Sequence, residues 1–409
     1  MVSRTAAAVL AASLSVGMAA CTAAVPISPR PASPSASVPA GTVPPSDVPS
    51  TPATASATTD ADELGERVEI GSIDPSLTNP VLEFVSDGEA IVFSSGRAPD
   101  TAPDATPDLW RISVPSGEPD LLWRNPERNH SIVRIVADLG SVAFVDMPVT
   151  GERAWNLWLL PRGATTAVLL DTHPGHADVS SLVPSMALWG DTLVWTAFDR
   201  GTDGPVSQLR VAHAPDWEPR TLRELPAAEA EVWLPSLYGS TLAYVEVHYR
   251  DERTSDERFV FVTDTTLDAE PRRLDASGRA TMPVVVDGAV LWKEADPGFS
   301  MFNWGRMYHH DLATGTTRRL RLAPQQFVNY PSAGNRYAAW WGADSFQLGV
   351  YDLVLDEPQL LVRRPTASHE SALRPHIAGD LLVWMHVDVE ADGEHGELHY
   401  AFLPGVRDP

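Results

Sequence analysis

The sequence predicts an all-β protein, a seven-bladed β-propeller that follows a disordered stalk. One observation is a segment of apolar residues that follows a Gly-centred turn, ends in an aromatic residue and occurs seven times. A second is that each recurrence opens a segment that divides into four short strands. A third is an extra strand before the first repeat, which can complete the last one. Six blades are the alternative number.

The first 20 residues have the layout of a bacterial export signal. Arg4 supplies a positive charge, an apolar stretch too short to span a membrane comfortably follows, and small residues lead into Cys21, the only cysteine of the chain. This layout resembles a bacterial lipoprotein signal peptide, with an ordinary secretory signal as the alternative. The resemblance implies that Cys21 carries lipid and anchors the protein to the outer face of the bacterial cytoplasmic membrane, in the cell envelope.

Residues 21–63 form a linker rich in Pro, Ser, Thr and Ala. Large apolar side chains are scarce there, so this stretch cannot form a core. Proline favours an extended path, and such a stalk could hold a domain roughly 100 Å from the bilayer at about 3.1 Å per residue. We expect residues 64–409 to form the propeller domain.

The recurring segment and its Gly-centred turn are interpreted as the inner hairpin of each blade. Its terminal aromatic residues lie 44 to 51 residues apart along the chain. They are Phe93, Phe144, Trp195, Tyr244, Trp292, Trp340 and Trp384. In each blade we expect an inner strand A, which follows a proline in six of the seven repeats, then a Gly turn and an apolar strand B. A variable loop, strand C, a tight turn and strand D complete the blade.

The two ends of the propeller domain are predicted to meet in the last blade. The seventh repeat ends after its third strand, near Phe402, and leaves one sheet edge bare. Residues 66–73, "ERVEIGSI", have the composition of a strand but no place in the first repeat. Pairing this segment with the strand around Leu398 to Phe402 would close the ring.

The repeats resemble the TolB-type propeller repeats of bacterial envelope and surface proteins. The similarity is carried by "GDTLVW" (residues 190–195), "GDLLVW" (residues 379–384) and "YHHDLATGTTRRL" (residues 308–320), and it covers about residues 66–405. It implies a propeller fold.

Composition and motifs exclude several function classes. The net charge is −24, which repels phosphate backbones, so no nucleic-acid partner is expected. The sequence contains no G-x-S-x-G or H-E-x-x-H motif and no phosphate loop, since its one lysine, Lys293, lies in "LWKEA". The acidic and His-rich segment 386–398 is interpreted as solvated turn chemistry, with a calcium site as the alternative. We therefore predict no metal site and no cofactor.

One face of the propeller is predicted to carry the longer loops. The B-to-C loops and the D-to-A crossings share this face, which we call the loop-rich face. Residues 293–305 form the most apolar of these loops, with Phe299, Met301, Phe302 and Trp304 as candidate anchors for a partner. The alternative is that these side chains fold back over neighbouring blades.

A second set of candidates lies where the crossing segments approach the central opening. These residues are His130, Trp233, Tyr330, His369, Glu370 and Arg374. Their mixture of aromatic and polar groups suits a carbohydrate or a peptide. The alternative is that they only plug the channel.

The sequence favours a non-enzymatic function. The main prediction is a lipid-anchored extracytoplasmic propeller that binds a protein, a peptide or an envelope glycan through its loop-rich face. The alternative is an envelope carbohydrate-active enzyme, a glycosidase or a lyase, that uses carboxylates near the propeller channel.

Overall fold

A computed structural model describes most of the propeller domain. The described residues are 68, 70–73, 81–95, 108–115, 117–126, 130–148, 154–175, 182–250, 255–266, 270–275, 277–295, 305–322, 328–342, 347–362, 370–388 and 395–404. They belong to one compact unit, Ala61–Pro409. The predicted signal peptide, Cys21 and the stalk lie outside them. Within the described residues, no helix is long and apolar enough to cross a membrane.

The described residues form 28 strands in seven four-stranded antiparallel sheets. Blade 1 contains β2 (Val81–Ser86), β3 (Ala90–Ser95), β4 (Asp108–Ser113) and β5 (Pro119–Trp123). Blade 2 contains β6 (His130–Asp138), β7 (Ser141–Pro148), β8 (Trp155–Leu160) and β9 (Val168–His173). Blade 3 contains β10 (Met186–Trp189), β11 (Thr192–Gly201), β12 (Gly204–His213) and β13 (Arg220–Pro226).

The remaining blades repeat the same order of strands. Blade 4 contains β14 (Ala230–Tyr238), β15 (Thr241–Arg250), β16 (Ser255–Asp264) and β17 (Arg272–Arg273). Blade 5 contains β18 (Ala280–Val286), β19 (Ala289–Ala295), β20 (Gly305–Asp311) and β21 (Thr317–Arg319). Blade 6 contains β22 (Asn329–Ala333), β23 (Tyr337–Gly342), β24 (Gln347–Asp352) and β25 (Glu357–Val362). Blade 7 contains β26 (Glu370–Ala378), β27 (Leu381–Asp388), β28 (His395–Phe402) and β1 (Ile70–Ser72).

Blade 7 is completed by the N-terminal strand, which confirms both the predicted closure and the seven blades. Strand β1 pairs antiparallel with β28, with Ile70 opposite Ala401 and Ser72 opposite His399. The strand is shorter than the predicted 66–73. Gly71 is required at this pairing, because a Cβ there would lie 2.2 Å from the Tyr400 ring.

The core consists of seven apolar layers, one between each pair of neighbouring blades. Each layer joins strands of two consecutive blades, and the layer between blades 7 and 1 contains Phe93, Leu381 and Leu398. The strand-B aromatics recognised in the sequence are buried in these layers, with exposures of 0 to 2%. The stability of the ring therefore depends on sheet-to-sheet packing rather than on one central core.

The inner strands of blades 4 to 7 begin upstream of their prolines, which corrects the expected strand boundaries. In these blades a β-bulge places two residues opposite one buried aromatic residue, and the second of the two is the proline. The residue before each proline has a positive φ of 47 to 51°. These residues are Leu234, Met282, Tyr330 and Arg374. Proline is tolerated here because the free edge of the inner strand faces the channel and the bulge already interrupts the ladder.

Side chains that follow these prolines tie neighbouring blades together. Ser236 accepts a hydrogen bond from the Val285 N–H at 2.9 Å, and Ser332 accepts one from the Ile377 N–H at 2.9 Å. His376 Nδ1 accepts the Ser86 N–H at 3.1 Å, across the junction of blades 7 and 1. Burial lowers the pKa of His376 to about 4, so the imidazole is neutral at physiological pH.

Candidate functional site

The bulges place side chains at the wall of the central channel, towards the loop-rich face. Each bulge begins one to four residues after the start of an inner strand, and inner strands begin at the loop-rich face. Non-glycine residues with positive φ are strained, and bulges re-aim the side chains that they carry. This level of the channel is therefore a candidate site.

Two charged residues in this region form an ion pair between the last and the first blade. Arg374 Nη1 lies 3.0 Å from Glu83 Oε1, and both side chains are partly buried. Arg374 is one of the residues with positive φ, at 50°. The pair joins β26 to β2 at the point where the ring closes.

Tyr330 lies within the electrostatic field of three charged residues. Burial raises the pKa of its phenol, the positive charges of Arg374 and Arg134 lower it, and the charge of Glu83 raises it. Arg134 belongs to blade 2 and Tyr330 to blade 6, which are not neighbours in the ring. Their interaction therefore crosses the channel. We call Glu83, Arg134, Tyr330 and Arg374 the channel cluster.

Arg134 is the member of the channel cluster whose hydrogen-bonding capacity is least satisfied by the described residues. Its Nε is buried and donates no hydrogen bond to any described residue. Leaving a buried donor of a charged group unpaired costs about 1–3 kcal/mol or more. The guanidinium of Arg134 as a whole is only partly buried, which makes it a candidate partner for an anionic ligand in the channel.

A histidine and a carboxylate occupy the start of the strand that carries Arg134. His130 Nδ1 lies 2.6 Å from Asp146 Oδ2, and Trp158 Nε1 donates to Asp146 Oδ1 at 2.8 Å. Asp146 is thus held by two partners and fixes the imidazole orientation. Because Nδ1 is engaged by Asp146, Nε2 is the imidazole nitrogen that can exchange a proton with a ligand.

The predicted candidate Trp233 on blade 4 has one polar partner and one apolar contact surface. Trp233 Nε1 donates to Glu231 Oε2 at 2.9 Å. Trp233 packs against the apolar layer between blades 4 and 5. These contacts give the indole a structural role, and they do not connect it to the channel cluster.

The other predicted candidates cannot be placed. Phe299, Met301, Phe302, Trp304 and His369 lie outside the described residues. Glu370 begins β26 opposite Asp388, and only its backbone is described. Residues 389–394 of the acidic segment 386–398 likewise lie outside the described residues. Among the described residues, no group of three or more His, Cys, Asp or Glu side chains could hold a metal ion.

Sequence reasoning selected Tyr330, Arg374 and His130 but missed Glu83 and Arg134. A signal for both was present, because each is the one charged residue inside an otherwise largely apolar inner-strand run, "VLEFV" and "SIVRIVA". A charge in a buried run is informative about function.

A cavity of about 280 Å³ lies away from the channel, between blades 2 and 3. Its wall includes Trp155, Phe198 and Arg210. The guanidinium of Arg210 already pairs with Asp171 and Asp199, each at 2.8 Å. Because these charges satisfy one another, the cavity is a weaker candidate than the channel.

Comparisons with solved structures identify other propellers. No family model and no curated protein matches the sequence. The propeller domain of the trilobed protease from Pyrococcus furiosus is 10% identical, with a TM-score of 0.56, and the match covers 80% of this chain and 99% of that one. Acylaminoacyl peptidase from Pyrococcus horikoshii is 11% identical, with a TM-score of 0.55, and the match covers 85% of this chain but only 53% of the peptidase.

An oligogalacturonate lyase from Vibrio parahaemolyticus is also similar. It is 11% identical, with a TM-score of 0.53, and the match covers 83% of this chain and 98% of that one. TolB from Acinetobacter baumannii is a more distant neighbour, at 12% identity and a TM-score of 0.40, with 76% and 79% of the two chains covered. At these identities the likeness shows the propeller fold alone.

The comparisons contradict the main prediction of function. The chain was expected to be a non-enzymatic binding protein, but its structural neighbours are peptidases, a peptidase domain and a lyase. That prediction was wrong because long loops and exposed aromatic residues are shared by binding proteins and enzymes. Among these neighbours, the lyase corresponds to the alternative prediction.

Proposed function

We propose that this protein is a carbohydrate-active enzyme of the lyase class that cleaves an acidic oligosaccharide in the central channel. The observation that carries the proposal is the channel cluster, in which Arg134 and Arg374 accompany a phenol and one carboxylate. Guanidinium groups bind carboxylates in two-point geometry, which suits the uronate sugars of acidic glycans.

One of the structural neighbours supports the choice of a lyase. The match covers about half of the acylaminoacyl peptidase chain but nearly all of the oligogalacturonate lyase chain. A propeller of this size therefore makes up almost the whole of that lyase.

The charge pattern favours a lyase over a glycosidase. A glycosidase of the usual kind needs two carboxyl groups about 5 to 9.5 Å apart. Among the described side chains, the channel cluster has a single carboxylate, Glu83, which is paired with Arg374. Uronate elimination instead needs cations at the substrate carboxylate and groups that move two protons.

The proposed reaction is β-elimination across the bond between C4 and C5 of a uronate. Arg134 pairs with the substrate carboxylate and stabilises the charge that develops when C5 loses its proton. His130, oriented by Asp146, accepts that proton. The electron pair forms the C4–C5 double bond and expels the C4 oxygen, to which the Tyr330 hydroxyl gives a proton. The raised pKa of Tyr330 keeps the phenol protonated for this step.

A spectroscopic assay tests this function. The full-length protein is incubated with uronate oligosaccharides and, separately, with neutral oligosaccharides of equal length. We expect ultraviolet absorbance from the C4–C5 double bond with the acidic substrates only. Tyr330→Phe should reduce that rate about 100-fold or more, whereas Tyr308→Phe, on the third strand of blade 5, should leave it unchanged. New reducing ends without ultraviolet absorbance would contradict a lyase.

We also propose that the enzyme works outside the cytoplasmic membrane as a lipoprotein. The support is the position of Cys21 after a short apolar segment. Cys21→Ala is expected to release the protein from the membrane without changing its melting temperature, since residues 21–63 separate the anchor from the propeller. Mass spectrometry of the native N terminus should find an acylated Cys21. An unmodified terminus farther downstream would contradict the anchor.

A further inference from the structure

Lys293 is the one lysine of the chain and lies at a position that is not charged in any other blade. Its side chain is 0% exposed on β19 of blade 5. The equivalent position follows the strand-B aromatic in each blade. In the other blades it holds Ser94, Val145, Thr196, Val245, Trp341 and Met385. Burying an amine costs several kcal/mol unless it is well bonded, so blade 5 departs from the repeat at a free-energy cost.

The Lys293 amine forms a hydrogen bond that links blade 5 to blade 6. Lys293 Nζ donates to Asn329 Oδ1 at 2.8 Å, and Asn329 is 3% exposed. The stem of the lysine lies over Gly305, where a Cβ would come within 2.6 Å of Lys293 Cε and 2.8 Å of the Glu294 carbonyl oxygen. Glycine at 305 and asparagine at 329 thus both accommodate Lys293.

The hydrogen-bond partner of Lys293, Asn329, is adjacent in sequence to a member of the channel cluster. Asn329 opens β22, and the next residue is Tyr330, which has a φ of 47°. A non-glycine residue in this conformation persists only where its neighbours hold it. The amine and the carboxamide are therefore part of what fixes the Tyr330 backbone.

Burial lowers the pKa of Lys293 to about 7, so both forms of the amine are populated near neutral pH. Of the strands packed against it, β18 and β22 carry no charged side chain, and β20 contributes Arg306, His309, His310 and Asp311. Glu294 is engaged with Tyr308. The charges that face Tyr330 are Arg374, Arg134 and Glu83.

We propose that Lys293 is a positioning residue for the channel cluster, because its bond to Asn329 fixes the segment that presents Tyr330. The ammonium form makes a charge-assisted bond and holds this segment more firmly than the neutral amine does. The importance of this coupling for catalysis rests on the proposed lyase function, but the coupling itself does not.

Magnetic resonance of the full chain tests the coupling without any substrate. Isotope-labelled lysine gives one side-chain signal, and fluorotyrosine gives a Tyr330 signal that is identified by its loss in Tyr330→Phe. We expect both signals to titrate between about pH 6 and about pH 8, with one shared midpoint. The Tyr351 signal, from the same blade, should stay constant.

Two variants decide the outcome. In Lys293→Met the Tyr330 titration should vanish, and in Asn329→Leu it should vanish while the lysine signal still titrates. A Tyr330 signal that is constant in the native chain, or that still titrates in either variant, overturns the proposal. If Lys293→Met does not fold, Asn329→Leu alone decides. Absence of lyase activity with coupling intact would refute the function and not this inference.

Discussion

Removal of residues 64–74 is expected to lower the free energy of unfolding of the propeller by about 5 kcal/mol or more. The deletion removes β1 and with it Val68 and Ile73, which are buried in the layers on the two sides of blade 7. Each such side chain contributes about 1.5–3 kcal/mol when it is buried. The deletion also leaves the edge of β28 without a partner.

Thermal unfolding of matched deletions measures this effect. Deletion of residues 40–50, the same length within the predicted stalk, should leave the melting temperature unchanged. Deletion of 64–74 should lower it by roughly 10 °C. Gly71→Val should also destabilise, since its side chain would meet the Tyr400 ring. Equal melting temperatures for the two deletions would contradict closure of the ring by the N-terminal strand.

Arg134→Gln is expected to reduce cleavage of acidic oligosaccharides about 100-fold or more, without loss of stability. Removing one preorganised group that stabilises developing charge typically costs a factor of about 100 to 1,000 in rate. The same change removes a buried Nε that has no described partner, which favours equal or higher stability. A slower enzyme with an unchanged melting temperature is therefore the expected combination.

An exposed arginine serves as the control for this experiment. Arg124 is 71% exposed and lies 3.9 Å from Asp108, so Arg124→Gln should preserve both activity and stability. If Arg134→Gln lowered the melting temperature and the activity together, Arg134 would be a structural residue. Full activity in this variant would remove the proposed carboxylate-binding role.

The fold was largely predictable because its units repeat along the chain. The strand-B aromatics fixed the number of blades, and the unpaired segment before the first repeat fixed the closure, with Ile70 opposite Ala401. The place of the prolines was predicted wrongly for blades 4 to 7, because strand A was expected to follow them. A bulge at the channel edge lets Pro283 and Pro331 lie inside a strand, which strand propensity alone disfavours.

The channel cluster was predictable only in part. Tyr330 and Arg374 are recognisable as polar or aromatic residues beside inner-strand prolines. Their meeting with Arg134 depends on the ring, because blades 2 and 6 approach each other only across the axis. Likewise, the contact of His130 with Asp146 depends on the register of β6 and β7, which pairs Ile132 with Asp146. Such contacts depend on closure of the ring and on strand register, and short stretches of sequence do not predict them.

The burial of Lys293 also determines how this protein can be handled chemically. With its single lysine 0% exposed, the folded chain offers no lysine amine to solvent. Succinimidyl esters, aldehydes and amine-specific crosslinkers would therefore label the native protein only at a free N terminus, or not at all if that terminus is acylated. Carbodiimide coupling through the exposed members of its 54 aspartate and glutamate residues is the suitable route for immobilising it or capturing its partners.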